Sequence, residues 1–115
     1  MEKVITIGDK EVLLKSSAAI PRMYRIKFGR DIFTDLTELK NDVKKSKSLS
    51  IKSLEMFENI AYLMAKHGDP NVPNTVEEWL DEFETFEIYK VLPEILELWH
   101  METEQKSTPK KKNGK

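Results

Sequence analysis

The sequence predicts a mainly α protein with a small N-terminal β-hairpin, an α+β chain whose hairpin is followed by a compact bundle of four to five short helices. Three observations predict it. Two short β-prone runs, Val4-Ile5-Thr6-Ile7 and Glu11-Val12-Leu13-Leu14, flank the dipeptide Gly8-Asp9, which suits a tight hairpin turn. From Ile20 onward apolar residues recur at three- and four-residue spacing, with breaks at Gly29, at the polar run 44–50 and at His67-Gly68-Asp69-Pro70. From Gln105 onward no hydrophobic residue remains to hold the chain to a core. The expected organisation is a single domain over 1–105, with the hairpin at 3–15 and helices at about 17–104. A disordered lysine-rich tail covers 106–115.

Two strands alone are marginal in water, so the hairpin must pack on the helices or pair with strands of another subunit. Ser16 and Ser17 are candidate caps of the first helix, with Pro21 tolerated in its first turn. Ile20, Met23, Tyr24 and Phe28 share one face of that helix, while Arg22, Arg25 and Lys27 take the others. Gly29 supplies a left-handed stop, and Asp31 starts a second helix carrying Ile32, Phe33, Leu36, Leu39 and Val43, ending near Lys45. Two amphipathic helices thus meet at a glycine elbow.

Ser50 can cap a third helix with the stripe Ile51, Leu54, Phe57, Ala61 and Met64, widened by Ile60 and Leu63. It is the most apolar helix and is expected to be central. His67-Gly68-Asp69-Pro70 ends it, with His67 read as a cation near a helix C-terminus. After a proline-containing loop, Thr75 and Glu78 match a capping box for a short helix bearing Val76, Trp79, Leu80 and Phe83. A break at Glu84-Thr85 precedes a last helix with Phe86, Tyr89, Leu92, Leu96 and Trp99, in which Pro93 either makes a kink or marks a new first turn.

Charge is unevenly distributed along the chain. Residues 1–52 hold twelve Lys/Arg against seven Asp/Glu, a net +5; residues 53–105 hold two against thirteen, a net −11; residues 106–115 hold five Lys and no acid. A basic half, an acidic half and a basic tail favour self-association into a homo-oligomer or a charged protein partner, and disfavour nucleic acid as ligand of the acidic half. Cysteine is absent, which removes disulfides and thiolate metal sites. No apolar run is long enough for a membrane span and no signal-peptide pattern follows Met1, so no membrane partner is expected.

Pro21-Arg22, Tyr24-Arg25, Phe28-Gly29 and Asp31, followed by an apolar helix, resemble the tail assembly chaperones of long-tailed bacteriophages and prophages of Gram-positive bacteria. The likeness extends to chain length, order of elements and the lysine-rich end. It implies a non-structural chaperone in the host bacterial cytoplasm, absent from the mature virion. Such a protein binds the phage tape measure protein and keeps it soluble until the tail tube polymerises, with the major tail protein as a further partner. It also implies a longer product made by programmed frameshifting, which the resemblance places at the adenine-rich codons available to Lys110–Asn113.

Enzymatic chemistry is not expected. The sequence has no phosphate-cradling glycine loop, no nucleophile set beside a base and no metal-ligand spacing around His67 or His100, so no cofactor, metal or catalytic residue is assigned. The expected partner-binding residues are Met23, Tyr24, Arg25, Phe28, Trp79 and Trp99, chosen as elbow-adjacent or aromatic anchors. Each has a plainer reading, core packing for the aromatic rings and a solvated face for the arginine. Met23, Met56, Met64 and Met101 can adapt to a helical client or simply fill gaps. Two alternatives remain: a DNA-binding regulator using Arg22, Arg25, Lys27, Arg30 and the tail, or a structural head-tail joining protein.

Overall fold

Alternating residues with β-branched and aliphatic side chains, closed by a two-residue turn, give the first element. In the computed structural model, which describes residues 1–45 and 50–98, β1 (Glu2–Ile7) pairs antiparallel with β2 (Lys10–Lys15), with Ile7 opposite Lys10 and Glu2 opposite Lys15. Gly8 takes a positive φ of 66° at the first loop position, where a II′ turn accepts glycine. Ile5, Ile7 and Leu14 are buried on the helices, so the hairpin packs within its own subunit.

Helix α1 (Ala19–Phe28) ends on Gly29 at φ 68°, whose N–H returns to the Arg25 carbonyl, as a left-handed stop requires. Ala18, not a serine, occupies its N-cap position; Ser16 is buried, and Ser17 Oγ accepts from the Ala19 N–H at 3.2 Å. Pro21 falls in the first turn, where its missing N–H has no partner to lose. Helix α2 (Ile32–Lys45) starts after Asp31, whose carboxylate accepts from the Phe33 N–H and the Thr34 hydroxyl. Ile32, Leu36 and Leu39 are buried, but Phe33 is 57% exposed, contrary to its place in the expected stripe. The buried position of this turn belongs instead to Asp35, one helical turn after Ile32. The Val43 side chain lies outside the description.

Helix α3 (Ile51–Gly68) is the centre, touching β2, α1, α2 and α4. Ser50 caps it by accepting the Ser53 N–H, and Met56, Phe57, Ile60, Ala61, Tyr62, Leu63, Met64 and Ala65 are buried along it. Ile51, at the first position of the helix, is exposed, contrary to its place in the expected stripe. Gly68 is not a left-handed stop. A Cβ there would stand 2.9 Å from the Leu13 carbonyl oxygen, so glycine is needed for the close approach of α3 to β2.

Lys66 Nζ organises the loop after α3 by donating to the Pro70 and Val72 carbonyls and to Asn74 Oδ1, while the Tyr62 hydroxyl donates to the Pro73 carbonyl at 2.6 Å. Thr75 then caps α4 (Val76–Leu80) through the Glu78 N–H. Trp79 is enclosed by edge-on contacts with Tyr62 and Phe83. The last expected helix is two pieces, α5 (Glu87–Lys90) and a helical stretch over 92–98, with a turn at Val91 and Pro93 in the new first turn. Its buried residues are Ile88, Val91, Ile95 and Leu98; Tyr89, Leu92 and Leu96 flank them and Phe86 is exposed. The inward face, Ile88, Val91, Ile95 and Leu98, keeps helical spacing across the break but lies one residue before the expected stripe from Tyr89 onward. Trp99, His100, Met101 and the tail 106–115 lie outside the described residues.

Candidate functional site

The elbow that carries the sequence likeness is held by one buried polar cluster. Tyr24 in α1 and Asp35 in the first turn of α2 are both buried, and the Tyr24 hydroxyl donates to Asp35 Oδ2 at 2.7 Å. Arg30, in the connection between the helices, donates to the same carboxylate through Nε at 2.7 Å and Nη2 at 2.8 Å, a two-pronged pair. Burial by itself pushes the Asp35 carboxyl up, but the Arg30 and Tyr24 hydrogen bonds outweigh it and hold the group below the usual carboxylate range. The Tyr24 phenol moves up, chiefly through burial and then through its bond to Asp35. Neither group is poised to exchange a proton near neutral pH. The cluster is a clip that fixes the angle between α1 and α2.

Outside the clip the elbow presents a different surface. Arg22, Arg25 and Ile26 fall at three- and four-residue spacing on the exposed side of α1, with Ile26 67% exposed. Phe33, on the far side of Gly29, is exposed as well. Lys27 Nζ lies 5.8 Å above the Tyr62 ring, a cation–π contact that ties α1 to α3.

Of the residues expected to bind a partner, Tyr24 and Trp79 are wholly enclosed and offer no surface in this fold. Met23 and Phe28 are half-buried against the core, with Phe28 tilted on Tyr24 at 5.1 Å, and Arg25 is exposed. Trp99 lies outside the described residues. Ile26 and Phe33 were missed, although Ile26 carries a readable signal as an aliphatic residue out of phase with the Ile20–Tyr24–Phe28 stripe.

Folding also brings together one pair that linear spacing hides. Ser17 Oγ and His67 Nε2 lie 3.1 Å apart, fifty positions distant in sequence. A serine beside an imidazole has the outline of a nucleophile and base, yet among the described residues no carboxylate is seen to bond the ring. Burial lowers the His67 pKa, and the positive charges of Lys15 and the amino terminus lower it further. The ring is therefore neutral at pH 7, not a helix-terminal cation, and the pair joins the start of α1 to the end of α3. Among the described residues no group of three or more His, Cys, Asp or Glu could hold a metal ion, and no helix is long and apolar enough to cross a membrane.

The fold is that of a mainly helical protein with a two-stranded N-terminal hairpin, in which the elbow is fixed by the Tyr24–Asp35–Arg30 cluster. No protein-family model, curated protein or solved structure matches the chain.

Proposed function

We propose that the protein is a tail assembly chaperone that binds a phage tape measure protein and keeps it soluble until the tail tube polymerises. The observation that carries this reading is the elbow. The residues of the resemblance, Pro21 to Asp31, build a corner whose α1 side exposes Ile26 with Arg22 and Arg25, while Phe33 is exposed at the start of α2. A long amphipathic client exposes apolar stripes that aggregate until covered, and exposed apolar side chains such as Ile26, flanked on its helix by Arg22 and Arg25, can contact a short length of such a helix. A small contact repeated along the client by many copies remains reversible, as displacement by the major tail protein requires. In this reading the protein acts in the host cytoplasm and is absent from the mature virion.

The test is co-expression with the tape measure protein of the same phage, comparing the soluble client in cells with wild-type protein, with the Ile26→Ser/Phe33→Ser variant and with neither. Wild type is expected to raise the soluble fraction and the variant to fall back toward the empty control. A client equally insoluble in all three samples ends the proposal. Stoichiometric recovery of the protein from purified virions would instead assign it to the particle.

A further inference from the structure

The two edges of the hairpin are treated differently by the fold. The outer edge of β2 is covered where α3 ends, since the Leu13 carbonyl lies against Gly68. α5 lies against β1 near the turn, where a Cβ at Gly8 would meet Glu87 at 3.3 Å, but the outward side of β1 from Glu2 to Thr6 is open. Met1 and Ser16 exchange both backbone bonds, Met1 N–H to the Ser16 carbonyl at 2.7 Å and Ser16 N–H to the Met1 carbonyl at 2.8 Å. In an antiparallel ladder such bonded pairs alternate, so Lys3, Ile5 and Ile7 bond inward to β2 while the N–H and C=O groups of Glu2, Val4 and Thr6 point away from it. No hydrogen bond reaches those outward groups among the described residues, and Glu2, Val4 and Thr6 are exposed, Val4 by 56%. An edge of this kind is a template for another strand unless a proline, a bulge or a hostile charge blunts it. β1 contains no proline, its register with β2 is unbroken, and its central outward residue is valine.

The geometry points to a second copy of this chain as the occupant, with β1 pairing antiparallel to β1 of its partner about a two-fold axis at Val4. Three registers preserve outward-to-outward pairing near the centre of the strand. Centring on Val4 sets Glu2 against the partner's Thr6, Val4 against the partner's Val4 and Thr6 against the partner's Glu2, about six backbone bonds. Shifting the centre to Lys3 or to Ile5 leaves about four, and the Lys3 centre opposes two lysines directly. The Val4 register also matches across the resulting four strands. Leu13 and Val4 meet their symmetry mates in one apolar row, because Leu13 stands opposite Val4 within each hairpin. The rows beside it run Lys15, Glu2, Thr6, Glu11, with no like charges adjacent. Lys3 thus selects the register rather than blocking the edge. The self-matching of this strand is what favours a second copy over an unrelated extended segment.

The contact is independent of any client, so its failure and the failure of the chaperone reading are separately visible. Sedimentation velocity of the full chain over about 1–100 µM, the range in which a contact of modest size dissociates, measures it directly. Wild type is expected to sediment at twice 13.4 kDa at the upper end and to dissociate on dilution. Val4→Pro removes an outward N–H while sparing the bonds to β2, and Val4→Lys opposes two like charges at the axis. Both variants are expected to be monomeric with an unchanged far-ultraviolet circular dichroism spectrum. In wild type, amide exchange at Val4 should slow by at least about tenfold from the dilute to the concentrated sample. A wild type monomeric throughout the range overturns the inference and leaves the edge to an extended segment of another protein. A dimer that survives in both variants, or one that leaves Val4 exchange unchanged, overturns it too.

Discussion

Asp35→Ala breaks the elbow clip, and its cost follows from what each partner loses. The Tyr24 hydroxyl is buried and has Asp35 as its hydrogen-bond acceptor, so losing that charge-assisted bond costs about 1.5–3 kcal/mol. The Arg30 side chain is 41% exposed against 1% for Asp35, so the freed guanidinium returns to water and the pair adds no more than about 1 kcal/mol. The expected loss is about 1.5–4 kcal/mol, or roughly 6–16 °C in Tm at about 4 °C per kcal/mol for a domain near 100 residues. Urea unfolding followed by far-ultraviolet circular dichroism measures it. Combining the substitution with Tyr24→Phe isolates the shared bond: once the hydroxyl is gone, Asp35→Ala should cost about 1.5–3 kcal/mol less than it does alone. A coupling below about 0.5 kcal/mol would refute the reasoning, because the hydroxyl would then be finding water or another acceptor.

Further outcomes follow from other features of the fold. Gly68→Ala should lower stability by about 1–3 kcal/mol in thermal melts, because its Cβ meets the Leu13 backbone. Gly29→Ala, with open space around it, should cost only the left-handed penalty of about 1–2 kcal/mol. His67 has a folded pKa below its ordinary 6.5, so the stability it contributes is complete above that value and is lost as pH falls through the depressed one. Denaturation midpoints of wild type should therefore drop as pH falls below 6.5, and those of His67→Gln should drop less. The lowered carboxyls of Asp31, Asp35 and Asp42 act in a separate window, losing their contribution only below their ordinary 3.8. Finally, Ile26→Ser/Phe33→Ser removes side chains that face solvent, so the melting curve should stay within about 0.5 kcal/mol of wild type.

The elements were legible where the governing interaction is local. The Gly8-Asp9 turn, the Gly29 stop, and the Ser50 and Thr75 caps each depend on backbone geometry over a few neighbouring residues, and the apolar spacing of α3 was strong enough to mark it as central. Proline likewise marked the restart after Val91. Side-chain direction is a weaker inference, because an apolar residue at the end of a helix satisfies the spacing whether or not a neighbour reaches over it. Phe33, Ile51 and Phe86 all sit at such positions, and all three are exposed.

What the chain determined by itself was therefore its list of elements, their breaks and the segregation of charge. Packing alone decided which polar groups are enclosed: Asp35 between Tyr24 and Arg30, Ser17 against His67, and Gly68 under Leu13. Packing also covered the β2 edge of the hairpin at Leu13 and left the outward side of β1 from Glu2 to Thr6 open. The reason is physical range. Turns and caps are set by dihedral angles within a few residues, whereas burial and pairing depend on which distant segments the collapsed core brings into contact.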